Sequence, residues 1–391
     1  MKLEGLRVLD LSMWLPGPHL TLMMADHGAD VIRIEPPGGD PTRNVGPYEA
    51  DDAGGKRSVW FRNLHRGKKS LCLNLKSDVG REVFLKLVET ADVVVEGFRP
   101  GVVDRLGIGY AAAKARNPRI VYCSISAFGQ TGPLAKKASH DMGAQALTGL
   151  LALNDAGDGK PVVSGTPSAD LGSALIALAG ILMALHRRNT TGAGDYIDAT
   201  MYDILLSFTA HLNGSVLTEG IAPTTRTGRS IGGAAFYAIY ETKDGRYIAL
   251  TGREPKFAES LLGYLGRPDL IDLCRLDDCI AQDPVKDFLR DVFRQRTLAE
   301  WKDALSSLDV SWSPVLDMAE AFREPHIEAR EMLLADAEGR KHVGNPIKFR
   351  DEPAEIDFKS PALGADNEAV LTDIGYSPAD AAAMNDHGVV G

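Results

Sequence analysis

The sequence lacks most of the features that would assign it a simple chemistry. Its four cysteines, Cys72, Cys123, Cys274 and Cys279, form no C-x-x-C or other metal-ligand spacing. No metal site is therefore expected, and scattered thiols in a long chain read as reduced and cytoplasmic. Basic charge is not in excess: 43 Lys and Arg against 53 Asp and Glu give a formal net charge of −10, with no dense cationic run. Nucleic-acid binding, which needs a basic face, is not expected. The most apolar stretch, "LGSALIALAGILMAL" (171–185), falls short of the roughly 20 residues that span a bilayer, so it reads as a buried helix and no membrane partner is expected. "MKLEGLRVLDLS" runs straight into folded-looking sequence, with no secretory leader expected before it. Also missing are G-x-G-x-x-G after the first strand, G-x-x-x-x-G-K-[ST], H-E-x-x-H and G-x-S-x-G. Dinucleotide, P-loop, zincin and hydrolase-elbow chemistries lose their usual footholds, and no tightly bound cofactor is expected.

What the sequence does have is a repeated α/β texture. "LRVLDLS", a Pro-Gly-Pro turn, "HLTLMMADHG" and "DVIRIE" make a strand, helix and strand within about thirty residues, the mark of a parallel sheet. "SLCLNLK", "SDVGREVFLKLVETA", "DVVVEG" and "RIVYCSIS" continue the alternation. From about residue 225 the pattern changes: "FYAIYETKDGRYIALTG" predicts a hairpin about Asp244-Gly245, followed by helices. The expected division is a large domain from 1–210 and 330–391, a small α+β domain at 225–325, and linkers at 211–224 and 326–329. In a doubly wound sheet ligands gather at the carboxyl ends of the strands, here the loops "MWLPGPH", "EPPGGDPTR", "EGFRPGVVDR" and "SAFGQTGP".

Within this frame three sets of residues carry candidate chemistry. His140 in "KKASHDMGAQALTGL" is either a hydrogen-bonded core histidine or a proton-transfer group. Asp170, at the mouth of the apolar helix, is either its N-cap or a carboxylate made reactive by partial desolvation. Arg99 and Arg105, six apart around a Pro-Gly turn, are either solvated charge or a phosphate grip.

Five ordered segments, "LRVLDLSMWLPGPHLTLMMADHGADVIRIEPPGGDPTR", "EGFRPGVVDRLGIGY", "ASHDMGAQALTGL", "ADLGSALIALAGILMALHRRNTTGAGDYIDATMYD" and "PALGADNEAVLTDIGY", resemble the family III CoA-transferases (CaiB/BaiF type) and the related α-methylacyl-CoA racemases. The resemblance runs nearly end to end. It implies an α/β fold with a Rossmann-like large domain built from both chain ends, an inserted smaller α+β domain, and an interlocked homodimer. It also implies that coenzyme A enters as part of the substrate, contacted by Leu73, Asn74, Leu75, Lys76, Gly97, Phe98, Arg99, Arg105 and Asp141.

The same resemblance offers two chemistries. In the transferases an aspartate matching Asp170 attacks the acyl-CoA thioester. In the racemases a histidine matching His140 and an aspartate matching Asp170 exchange the α-proton between opposite faces of the substrate, with a carboxylate matching Glu254 orienting the imidazole. His140 in "SHDM", Glu254 in "GREPKF" and the hairpin before it favour a racemase or epimerase of 2-methylacyl-CoA. "DLGSA" in place of the racemase "DFGGG", and the transferase-like "DMGAQALTGL", favour a CoA transferase as the alternative. A non-catalytic CoA-binding protein is the remaining alternative. Leu15, where formyl-CoA transferases carry glutamine, argues against formyl transfer.

Overall fold

The computed structural model describes residues 1–50, 55–155 and 157–391. They divide into two compact units: Met1–Leu147 with Thr166–Leu206 and Pro325–Gly391, and Thr148–Gly165 with Ser207–Glu324.

The first unit is built on six short strands of β-branched and apolar residues: β1 (Arg7–Asp10), β2 (Asp30–Glu35), β3 (Lys69–Cys72), β4 (Val93–Glu96), β5 (Val121–Ser126) and β6 (Tyr196–Thr200). All five pairings are parallel, in the order β3-β2-β1-β4-β5-β6. That order reverses direction between β1 and β4, the switch point at which ligands of open parallel sheets bind. A parallel sheet is covered on both faces, which is why β4 and β5 are buried at every residue rather than alternating.

The connecting helices are α1 (Pro16–Asp26), α2 (Val59–His65), α3 (Asp78–Thr90), α4 (Val102–Arg105), α5 (Tyr110–Arg116), α6 (Asp141–Leu147) and α7 (Ser168–Thr191). Helix α3 shows how spacing selects packing. Val83, Phe84, Leu87 and Val88 recur at helical period, and all are buried with Leu9, Ile34, Leu71 and Val94 of the strands. Ser77 caps the helix by accepting from the Gly80 N–H at 3.0 Å. A Cβ at Gly80 would lie 2.1 Å from the Asn74 carbonyl oxygen, so only glycine lets the turn after β3 fold this closely onto α3.

The second unit carries a three-stranded antiparallel sheet, with β7 (Tyr237–Glu241) and β8 (Tyr247–Thr251) joined by the Asp244-Gly245 turn. There the Thr242 N–H donates to the Arg246 carbonyl at 2.8 Å, and Gly245 adopts a φ of +71° that favours glycine. Helices α8 (Pro255–Tyr264), α9 (Asp283–Phe293) and α10 (Leu298–Leu305) bury Leu261, Leu289, Phe293 and Trp301 against Tyr240, Ile248 and Leu250. The third strand is β9 (Trp312–Pro314), beside β8. The chain then returns to the first unit, where α11 (Asn367–Asp373) and α12 (Pro378–Asp386) add Val370, Leu371 and Met384 to the core around α3.

Two expectations require correction. Thr148–Gly165, expected in the large domain, and residues 207–224, expected mainly as linker, belong to the second unit. Asp155 there accepts from Thr225 Oγ1 at 3.0 and 2.8 Å, a pairing 70 residues apart in sequence that no local pattern announces. The apolar helix is also longer and less buried than expected. α7 spans 24 residues and is long and apolar enough to cross a membrane by length and composition. It buries Gly172, Ala174, Ala177, Leu178, Ile181 and Leu185, yet leaves Leu175, Ile176, Leu182 and Met183 exposed, Met183 to 71%.

Candidate active site

The switch point brings together the loop after β1 and the loop after β4. The first is anchored by Asp10, whose fully buried carboxylate accepts from Ser12, Thr21 and Lys68 and faces Arg33. Burial works against this anion, but Lys68 and Arg33 outweigh it and hold the group down at about 2. Burial in turn pulls Lys68 down to about 8, partly opposed by Asp10. These charges tie β1, β2, α1 and the start of β3 together beneath the loop. Above them Trp14 takes a φ of +67°, a strained conformation for a non-glycine residue, with its indole 41% exposed and 6.3 Å from that of Trp60.

Across the switch point, β4 ends at Glu96 and the chain passes through Gly97, Phe98 and Arg99 to Gly101, whose φ of +81° opens α4. Arg105 closes that helix. Leu73, Asn74, Leu75 and Lys76 follow β3 at the edge of the sheet, where Leu73 is buried and Lys76 exposed. Asn74 holds the turn by accepting from the Lys76 N–H at 3.1 Å. Among the described residues, Lys76, Arg99 and Arg105 have no carboxylate partner. In a chain of net charge −10, three exposed, unpaired cations beside the strand ends make a local anion-receptive edge.

Asp170 stands at the third helical position of α7, not at its N-cap. The N-cap is Pro167, which has no side-chain acceptor, and the capping is done by a residue 28 positions upstream. Asp141 Oδ1 accepts from the Ala169 N–H at 2.7 Å and the Asp170 N–H at 3.2 Å, while its Oδ2 accepts from Gln145 Nε2 at 2.6 Å. The cap reading of Asp170 is thus replaced by a tertiary cap. Asp170 keeps its own carboxylate free of hydrogen bonds and ion pairs among the described residues. Burial, with the Asp141 anion second, pushes that carboxylate up to about 6.

His140 immediately precedes α6, and its carbonyl accepts from the Gly143 and Ala144 N–H groups. Its side chain is exposed rather than packed in the core. Asp141 links the start of α6 to the start of α7 through the Ala169 and Asp170 amides, and His140 is its neighbour in sequence. Among the described residues the His140 imidazole has no hydrogen bond to a carboxylate. Glu254 belongs to the second unit, where it is exposed at the N-cap of α8 without a side-chain capping bond. Sequence reasoning named Asp141 only among CoA contacts and missed its hold on α7, as well as the Asp10–Lys68–Arg33 network and Trp14. The acidic residue at the start of "DMGAQAL" and the proline ahead of "SADLG" were the only signals for the cap. No group of three or more His, Cys, Asp or Glu side chains placed to hold a metal occurs among the described residues.

Fold and site together define an α/β enzyme with an anion-receptive switch point and a carboxylate of raised pKa. The chain belongs to CoA-transferase family III, whose model matches residues 3–367. It is 38% identical over 360 residues, 90% of both chains, to the acetyl-CoA:oxalate CoA-transferase of Acetobacter aceti. To the human α-methylacyl-CoA racemase it is 32% identical over 397 residues, covering 100% of this chain and 98% of the relative. A CaiB/BaiF family protein from Brucella suis superposes with a TM-score of 0.83 at 30% identity, over 95% of this chain and 99% of that one.

Proposed function

We propose that the protein is a CoA transferase that moves CoA from an acyl-CoA to a carboxylic acid, with Asp170 as the covalent nucleophile. The observation that carries this reading is the placement of Asp170: it stands partly buried in the first turn of α7 with its carboxylate free of hydrogen bonds and ion pairs among the described residues. An unpaired carboxylate is a ready nucleophile. The racemase reading favoured by the sequence needs the same group protonated when it acts as the acid, and an imidazole held by a carboxylate. The higher identity to a transferase points the same way.

In the proposed cycle an Asp170 oxygen bonds to the thioester carbonyl carbon, and the C–S bond breaks to release CoA thiolate. The product is an acyl-aspartyl anhydride. The thiolate then attacks the aspartyl carbonyl and expels the donor acid as its carboxylate, leaving an aspartyl-CoA thioester. An acceptor carboxylate attacks that carbonyl and expels thiolate, forming a second anhydride. Thiolate attack on the acceptor's acyl carbon finally forms the new acyl-CoA and frees Asp170. No proton is gained or lost, so the cycle has no need of His140 as a base. Coenzyme A enters with the substrate, its phosphates held by Lys76, Arg99 and Arg105 at the ends of β3, β4 and α4.

The racemase remains the second reading because Asp141, next to His140 in sequence, holds the backbone amide of Asp170. The two separate when a panel of 2-methylacyl-CoAs and short-chain acyl-CoAs is incubated in deuterated water with and without carboxylic acids. Acid-dependent appearance of a new acyl-CoA without α-deuterium supports transfer. Acid-independent α-deuterium uptake overturns it, and CoA binding with neither outcome favours a non-catalytic protein. The exposed Leu175, Ile176, Leu182 and Met183 face of α7 further supports a homodimer in which a second copy covers this stripe.

A further inference from the structure

Five carboxylates of the described residues are buried: Asp10, Asp26, Glu35, Asp40 and Glu96. Four of them have a cation. Asp10 meets Lys68, Asp26 meets Arg66, Glu35 meets Arg43, and Asp40 meets Arg33. Glu96 has none, although its side chain is 1% exposed. A buried acid without a counter-ion is costly, so its hydrogen bonds become informative.

Those bonds lead to one place. Glu96 is the last residue of β4, paired in register with Ser124 of β5. Its Oε2 accepts from the Phe98 N–H at 2.7 Å, and Ser124 lies beside it in register on β5. Ser124 Oγ in turn accepts from the Tyr196 hydroxyl of β6 at 3.1 Å. The carboxylate thus lies beside Ser124 on the sheet and holds the backbone of the loop Gly97–Arg99 through the Phe98 amide. That loop ends on Arg99, which is exposed and unpaired.

We propose that Glu96 is the positioning residue of the loop at the switch point: its buried carboxylate, beside Ser124 on the sheet, holds the Phe98 amide and thereby aims Arg99 at the anionic end of coenzyme A. This rests on the reading that Gly97, Phe98 and Arg99 bind CoA. The groups near Glu96 on its face of the sheet are Tyr122 and Ser124 of β5 and Tyr196 and Asp198 of β6, with Asp104 of α4. Of these Asp104 and Asp198 add to the burial that pushes Glu96 up to about 7, against Ser124 and the Phe98 N–H, which lower it. An N–H bond to an ionised carboxylate is the stronger form, so protonation loosens the hold without abolishing it.

The test is calorimetric titration of free coenzyme A into the full chain between pH 6 and 8.5, for wild type and the variants Glu96→Ala, Glu96→Gln and Arg99→Ala. Glu96→Ala removes the acceptor and is expected to weaken CoA by about tenfold, the scale of one lost charge-assisted hydrogen bond. Glu96→Gln keeps an acceptor for Phe98 without a charge. It should stay within about threefold of wild type at pH 8, at the lower affinity that wild type itself approaches at pH 6. The difference between wild type and Glu96→Gln should vanish toward low pH, a pattern that general damage to the sheet does not produce. If Arg99→Ala binds CoA as wild type does, the loop is not a CoA site and the proposal falls with that reading. If Arg99→Ala is weakened while Glu96→Ala binds normally, or Glu96→Gln follows the wild-type pH profile, the proposal alone is overturned. Should Glu96→Ala fail to fold, the Glu96→Gln profile still decides.

Discussion

Asp170 and Asp141 divide between them two tasks that a single aspartate at a helix start ordinarily combines. Asp141 takes the free amides of α7, and Asp170, one turn in, is left unpaired and raised to about 6 by burial and by its neighbour. If Asp170 is the nucleophile, kcat/KM for transfer should fall with unit slope as pH drops below about 6, whereas an acid role would give the fall above that value. Asp141→Asn keeps an oxygen for the amides but removes the charge, so the acidic limb should move to lower pH by less than one unit. A pH–rate profile of the two proteins checks both statements. Glu96 carries the opposite lesson about stability. Its folded pKa of about 7 lies above the usual 4.5, so the folded state binds the proton more tightly and loses stability as pH rises from about 4.5 to 7. Glu96→Gln should therefore be more stable than wild type at pH 8, by at most on the order of 3 kcal/mol, and about equal at pH 5. Urea unfolding at the two pH values measures it. A gain in stability joined to weaker CoA binding would mark Glu96 as a residue kept for its site rather than for the fold.

At the scale of elements, much of the architecture was legible because it is written in local periodicity. The alternation from "LRVLDLS" to "DVIRIE" gave β1, α1 and β2, and the Asp-Gly pair gave the β7–β8 turn. What local pattern could not give was anything settled across long separations. The cap of α7 comes from 28 residues upstream, and Asp10 draws on Lys68, 58 residues away. Within the candidate site, Asp170 and the cations of the switch point could be named from the residues and the resemblance. The state of Asp170 could not, because it depends on where Asp141 lands. The cap itself is testable. Asp141→Ala leaves the Ala169 and Asp170 amides without their acceptor and should cost about 1 kcal/mol by chemical denaturation, while Asp141→Asn should cost distinctly less.

For the whole molecule, the first unit is completed by the returning C-terminal segment. Val370, Leu371 and Met384 share a core with Val83 and Leu87, and the Asn74 N–H donates to the Val389 carbonyl at 2.8 Å. The turn that carries Lys76 is therefore held by the far end of the chain, and its order depends on that end being docked. The exposed stripe on α7 belongs to the same scale. The proposed dimer predicts a mass near twice 42.0 kDa by light scattering. Ile176→Glu with Met183→Glu, placing charge on that stripe, should shift the mass toward the monomer.

A covalent role for Asp170 requires that it form a bond to the substrate. Its most direct measurement is peptide mass spectrometry of the enzyme after incubation with a panel of short-chain and 2-methylacyl-CoAs and quenching with hydroxylamine, which converts an activated carboxyl into a hydroxamate. A nucleophilic Asp170 should yield a hydroxamate on its peptide, dependent on acyl-CoA, absent in Asp170→Asn, and still formed in His140→Ala. An unmodified Asp170 in enzyme that incorporates α-deuterium from the same acyl-CoA without an acceptor acid would contradict it.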